Sequence, residues 1–278
     1  MRNQNDTVSR ALEMMRVSEG RVAATDFLSP GERLEVYAEL NARGGNGSQR
    51  CFFWGGCRGT ERCAAVFLPE WSMPDGAPRH AMPLDELRTD WFAACLRSDP
   101  DLLSDIPVAS LRVRGSGFRS LGHRDFMGAI LSLGVDRAVV GDIAVLGEDE
   151  ALVFATERIA PFLESELTRV GRDAVSCVRV DTDPTFAVPR RFEEIPVTVA
   201  SPRLDGIVKA LTNQSREDAA AMVRQGLVEL NYREMTEVSK ETAEGDIVSI
   251  RGYGKYIIGP TGGATRSGRL RIVCRKYL

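Results

Sequence analysis

The chain has 278 residues, 43% of them hydrophobic and 27% charged, with a formal net charge of -3. That is the balance of an ordinary globular protein with room for two or three domains. No apolar run approaches the roughly 18–20 residues of a membrane span, and the first thirty residues hold no continuous apolar stretch of a secretory leader, so a cytoplasmic protein without a membrane span is expected. Six cysteines occur without a CxxC pair, which argues against a disulfide framework in that compartment. Cys51, Cys57 and Cys63, with His80, lack the close ligand pairs of a structural zinc site. They are expected to be buried thiols, with no metal and no cofactor.

In chain order, "SRALEMMRVSEGRVAA" has helical periodicity. "SPGERLEVYAELNARGG" opens on a helix-start signal: Ser29 as N-cap, Pro30 at N1 and Glu32 completing a capping box. Leu34, Tyr37, Ala38 and Asn41 are then expected along one face. "RCFFWGGCRGTERCAAVFLPEW" reads as two strands about a Gly-rich turn. The Pro-rich segment 74–83 marks a boundary, and a helix follows in "LDELRTDWFAACLRS". Beyond it come "PVASLRVR" (strand), "HRDFMGAILSLG" (helix), "GDIAVLGEDEALVFAT" (two strands), "ERIAPFLESELTRV" (helix) and "AVSCVRV" (strand). This β-α-β-β-α-β order is the signature of a ferredoxin-like split unit. RNA-recognition motifs share the topology, but their RNP1 strand carries base-stacking aromatics, and "ALVFAT" has one. The sheet is therefore expected as readily to be a scaffold or a docking surface as an RNA platform. Residues 181–196, with three prolines and no periodicity, read as a linker.

Charge is unevenly spread. Residues 201–278 hold 13 Lys+Arg against 9 Asp+Glu, leaving 23 against 30 in the first 200; all four lysines lie in the C-terminal part. A basic module on an acidic body points to a local polyanion contact.

Within that module Leu204, Ile207, Val208 and Leu211 form one apolar helix face. Ser215 with Asp218 signals the N-terminus of a second helix, with Ala219, Met222 and Val223 as its core face and Arg216, Ala220 and Arg224 on a separate stripe. Gly226 suits a left-handed C′ position and "LVELN" leaves as a strand. "EGDIVSIRGYGKYII" supplies a turn and a strand bearing Arg251, Tyr253, Lys255 and Tyr256. In "GRLRIVCRK", Leu270, Ile272 and Cys274 alternate with Arg269, Arg271 and Arg275. Guanidiniums on rigid elements, interleaved with tyrosines, suit RNA phosphates and bases.

The spaced elements "RLD", "SR", "G.V..N" and "GD.V.IRGYGKY" resemble the αL-type RNA-binding module named for ribosomal protein S-four, over roughly residues 201–256. The resemblance implies RNA-contact roles for Arg203, Ser215, Arg216, Arg224 and Asn231, and for Lys209, Arg251 and Lys255; Tyr253, Arg269 and Arg271 join them from the basic–aromatic pattern. "WGGCRGTER", "FLPEW", "LGHRDFMGAILSLGVDRAVVGDIAV", "VGRDAV", "IPVTVASPRLD" and "GATRSGRLRIVCRKY" resemble the YlmH family of bacterial proteins along nearly the whole chain. Cys57 stands where that family's habit is an aromatic. The resemblance implies binding of rRNA and of tRNA on the ribosomal large subunit, in rescue of stalled ribosomes, and a cell-division link has also been attached to the family.

The expected architecture is α+β and multidomain: a helical and hairpin region (1–78), a ferredoxin-like, RRM-like domain (79–181), a linker (182–196) and an S-four-type domain (197–278). An enzyme is not expected. "HRD" at 123–125 lacks the kinase Asn five residues on. "RLDG" at 203–206 echoes a pseudouridine synthase aspartate, but Asp205 opens a short helix in a small module, where pairing with backbone or an arginine is expected. "GPTGGATRSG" lacks the Walker spacing, and no GxGxxG follows a strand. The alternative is an rRNA-modifying enzyme with an S-four-type substrate-binding domain and its site in residues 80–180.

Overall fold

The computed structural model describes residues 4–43, 47–76, 86–265 and 268–278. His80 and most of the Pro-rich boundary lie outside them. The chain divides after Pro189 into two compact units, and the described residues form three β-sheets.

The first unit begins with α1 (Gln4–Val17). The helical pattern was expected to run on to Ala24, but β1 (Ala23–Leu28) takes over there, with Ala23, Thr25 and Phe27 buried at period two. In α2 (Pro30–Ala42) the capping box forms: the Glu32 amide donates to Ser29 Oγ at 3.3 Å and the Ser29 amide to the Glu32 carboxylate at 2.7 Å. The buried face is Arg33, Val36, Tyr37 and Leu40, while Ala38 and Asn41 are exposed. It is turned from the expected one because Arg33 takes a core position, its guanidinium over the Phe53 ring and donating to the Glu61 carbonyl. The expected hairpin is β2 (Cys51–Trp54) and β3 (Cys63–Phe67), and β1 joins it in the order β1-β3-β2. Cys51, Cys57 and Cys63 are all buried.

Next come α3 (Glu86–Ser98) and α4 (Pro100–Asp105), the latter capped by the Asp99 side chain at the Leu102 amide. Helix α3 was grouped with the middle domain, yet it packs on the three-stranded sheet, with the Phe92 ring stacked 4.5 Å from Phe52. Then follow β4 (Val108–Gly115), α5 (His123–Ser132), β5 (Val140–Val145), β6 (Glu150–Thr156), α6 (Ala160–Glu166), β7 (Arg169–Val170) and β8 (Asp173–Val180). The sheet order is β5-β6-β4-β8-β7, antiparallel throughout. Helices α5 and α6 bury Leu111, Val113, Val153 and Cys177 on one face. On the other face Phe154 joins Phe27, Trp54 and Phe92 in a core shared with the three-stranded sheet.

Asp142 ties these two sheets together. From β5 it accepts the Glu61 amide at 2.6 Å and the Arg62 amide at 3.3 Å, both in the β2–β3 loop. Burial pushes its carboxyl above the ordinary range, against the pull of those amides and Arg137. Asp142→Ala leaves two backbone donors without their acceptor, so a loss of about 1–3 kcal/mol is expected. Urea unfolding checks this; an unchanged midpoint would show that water replaces the carboxylate there.

The second unit starts at β9 (Phe192–Val199), so the segment read as a linker is strand from Phe192 on. Pro196 is tolerated because β9 pairs on one side alone, with β15 (Leu270–Tyr277). Helices α7 (Leu204–Thr212) and α8 (Arg216–Arg224) follow, then β10 (Val228–Leu230), β11 (Arg233–Glu234), β12 (Ile247–Ile250), β13 (Gly254–Ile257) and β14 (Thr261–Ala264). The run "EGDIVSIRGYGKYII" is thus a two-strand hairpin, with Arg251–Tyr253 at its turn. The seven strands pair as β11-β10-β12-β13-β15-β14, with β9 on β15. Leu204, Ile207, Val208, Ala219 and Val223 pack on Val197, Val228, Val248, Tyr256, Ile272 and Cys274, so both helices lie on one face of this sheet.

Candidate nucleic-acid interface

The chain enters α7 through Arg203, and carbonyls of the 238–242 segment take up the first amides of the helix: Leu204 donates to Lys240 O and Asp205 to Val238 O. With its amide so held, Asp205 turns its side chain inward, leaving 4% of it exposed. Its carboxylate receives two arginines. Arg203 Nε donates to Oδ1 at 3.1 Å, and Arg216 donates through Nε and Nη2 to Oδ2 at 3.3 Å each. Burial alone would raise this carboxyl, but the hydrogen bonds and charges of Arg203 and Arg216 outweigh it and hold it below the ordinary range. The Arg216 side chain remains 70% exposed. Two of its nitrogens are held by the carboxylate, which fixes the plane of the guanidinium.

Between the helices Asn213 adopts the left-handed conformation, with φ at 56°, and Ser215 caps α8. Ser215 Oγ accepts the Asp218 amide at 3.1 Å and donates to the Asp218 carboxylate at 2.7 Å, so this predicted RNA residue does structural work. Gln214 donates to the Tyr253 hydroxyl at 3.0 Å, which joins the β12–β13 turn to the α7–α8 loop. Asp205 thereby joins Arg203 to Arg216, and Gln214 joins Tyr253 to the loop that precedes Arg216. Lys209, Arg224 and Arg251 are exposed, with no contact linking them to that group among the described residues.

The other predicted residues divide. Asn231 is occupied: its amide nitrogen donates to Asp246 and its oxygen accepts the Ile247 amide, with φ at 51°. It pins a turn. Lys255, Arg271 and Arg275 stand on the sheet face opposite the helices, as strand alternation requires: Tyr256, Ile272 and Cys274 are buried under α7 and α8. The Lys255 ammonium sits 5.2 Å from the Tyr232 ring and 5.1 Å from the Tyr277 ring. Arg269 donates to the Thr198 carbonyl. Intramolecular cation–π pairs already engage much of this face.

On the five-stranded sheet, the face that an RNA-recognition motif offers to bases has no exposed aromatic among the described residues. Phe154, its single aromatic, is 1% exposed, and Arg112 and Arg114 both pair with Glu150.

Residues 106–183 match the family model described as "Putative RNA-binding domain in YlmH". Over 269 residues the chain is 29% identical to "Ribosome-associated protein quality control protein P2" of Bacillus subtilis (strain 168), covering 95% of this chain and 92% of that protein. Among solved structures it is similar to "Cell division protein ylmH from Streptococcus pneumoniae", with 15% identity and a TM-score of 0.45, over 65% of this chain and 93% of that one. The family model and the Bacillus subtilis relative bear out the likeness to the YlmH family carried by the sequence motifs. The region that the model matches lies in the middle of the chain, where sequence reading assigned no RNA-contact residue.

Proposed function

We propose, from its relation to the YlmH family, that this chain is a non-catalytic RNA-binding protein. It acts on rRNA and tRNA at the ribosomal large subunit, in the handling of stalled ribosomes, and works in the cytoplasm. In this reading residues 197–278 are an S-four-type module and the middle sheet is a ferredoxin-like scaffold. The observation that carries it is the Arg203–Asp205–Arg216 arrangement: a buried carboxylate holds two guanidiniums at the solvent edge of a two-helix layer. Pre-set arginines recognise phosphate with less ordering cost than freely rotating ones. The same geometry disfavours Asp205 as a catalytic base, because two arginines hold its proton affinity down.

Sedimentation with purified large subunits tests the reading. Wild type is expected to travel with them, while Arg203→Glu/Arg216→Glu, with an unchanged circular dichroism spectrum, stays at the top. Arg216→Ala is expected to flatten the dependence of log affinity on log salt by roughly 0.7–0.9. Co-sedimentation of the charge-reversed variant would remove these two arginines from the contact.

A further inference from the structure

We infer that the first unit carries a second RNA-contact surface, in which a base of single-stranded RNA stacks on Phe118 while Arg124, Arg169 and Arg172 hold the flanking phosphates. The inference rests on the RNA-binding reading and adds a surface to it. Phe118 is 90% exposed, so the faces of its ring are open to a stacking partner.

Its loop is tied at several points. The Gly115 amide donates to Asp149 O at 2.7 Å and the Leu121 amide to Glu148 O at 2.6 Å, with Leu121 buried. Ser116 Oγ donates to Asp173 Oδ1, and the Phe118 amide reaches Ser116 Oγ at 3.4 Å. Asp173 is 4% exposed, and its Oδ2 lies 2.9 Å from where a Cβ on Gly115 would stand, so the loop and the buried carboxylate fit only with glycine there. The ring is thus held out on an anchored loop.

Arg119, next in sequence to Phe118, reaches the elements that carry the arginines. It pairs with Asp125 in the first turn of α5 at 3.2 Å, and its Nη2 lies 3.3 Å from where a Cβ on Gly171 would stand, at the β7–β8 turn. A groove of about 500 Å³ runs between these elements, with Arg124 and Arg169 among its lining and Gly128, Ala129 and Ser132 on its α5 side. Space beside Gly128 is open, so a sugar–phosphate backbone can approach the helix closely.

Nearby acids neutralise many of the unit's arginines. Arg10 and Arg158 pair with Asp26, Arg58 with Asp90, Arg112 and Arg114 with Glu150, and Arg179 with Glu157 and Glu164. Arg124, Arg169 and Arg172 are exposed and make no ion pair among the described residues. Asp125 is engaged by Arg119, which leaves Glu166 as the other acid of the groove. An exposed aromatic ring together with unneutralised guanidiniums is the combination that single-stranded nucleic acid uses, stacking its bases while cations follow its backbone.

The test is fluorescence anisotropy of a short fluorescein-labelled oligouridylate with the full chain. Phe118→Ala, at a solvated position, is expected to fold normally and weaken binding at least about fivefold, with the salt slope unchanged. Arg124→Ala/Arg169→Ala/Arg172→Ala is expected to lower that slope by about 0.7 per side chain. Wild-type affinity in both variants overturns the proposal, as does failure of the wild type to bind the oligonucleotide while it still sediments with large subunits. If Phe118→Ala loses the subunits but keeps the oligonucleotide, the surface meets a ribosomal protein and the proposal falls. The Arg203→Glu/Arg216→Glu result reports on the second unit separately, so the two readings can fail independently.

Discussion

Asp205→Asn is expected to weaken RNA binding about tenfold, or about 1.4 kcal/mol, although it removes a negative charge from the surface proposed to meet phosphates. Simple electrostatics predicts the opposite sign: a neutralised acid near a polyanion should tighten binding by up to about 1 kcal/mol. The geometry reverses this. Asp205 accepts from both Arg203 and Arg216, and an asparagine amide of the same shape offers one oxygen and one NH2 group. One guanidinium then faces a donor and swings away. The variant should also lose stability, because a carboxylate whose folded pKa is depressed contributes stability above its unfolded pKa and loses it as pH falls through the folded one. The wild type's advantage over the variant is therefore full at neutral pH and disappears as pH drops below about 4. Affinity by anisotropy and thermal melts at neutral and acid pH measure both effects. Unchanged or tighter RNA binding by the folded variant would reduce Asp205 to a packing residue.

How legible this unit was in sequence depended on local signals. The apolar face of α7, the Ser215 cap and the alternation of β15 are short-range patterns, and each appears at the residues that carry it. Asp205 was read as a first-turn acid pairing with backbone or an arginine, and it pairs with two, one of them eleven residues on. Asn231 was less legible: Asn at a turn and Asn at a ligand look alike until its side chain meets Asp246 and the Ile247 amide. Lys255 is counted among RNA contacts from the S-four-type resemblance, and the sheet register sets it between two tyrosine rings.

The first unit was harder, for reasons of tertiary override. Strand β1 was absorbed into a helical pattern because "RVAA" suits either element, and pairing with β3 decides it. Arg33 was scored as polar, so the buried face of α2 was read one position off. Helix α3 was assigned to the middle domain by order along the chain, whereas Phe92 stacks on Phe52 across the core. Phe118 had one sequence signal, an aromatic between Gly117 and Arg119 in a run without periodicity. Only the fold reveals that its neighbour Arg119 reaches both α5 and the β7–β8 turn.

The "WGGC" run at 54–57 was noted for family resemblance, and its glycines have a physical cause that yields the largest stability effect expected in this unit. Gly56 has φ at +99°, a region that L side chains rarely adopt, and a Cβ there would stand 2.2 Å from Phe154 Cδ1. Phe154 is 1% exposed and packed against Phe27, Trp54 and Phe92, so its ring cannot step aside without disturbing the core shared by both sheets. Gly56→Ala adds backbone strain of about 1–2 kcal/mol to overpacking of about 1–3 kcal/mol. A loss of about 2–5 kcal/mol is a large part of a typical domain's total. The second unit holds a separate core around Leu204, Val223 and Ile272, which the substitution does not touch. Limited proteolysis of the full-length variant at moderate temperature should therefore digest the first unit and leave a protected fragment beginning near Arg190. Phe154→Leu in the same variant should recover part of the loss by vacating the space that the new methyl group needs. Equal resistance of wild type and Gly56→Ala would mean that the β2–β3 loop can rebuild around a side chain. Loss of the C-terminal fragment together with the first unit would mean that the two cores do not unfold separately.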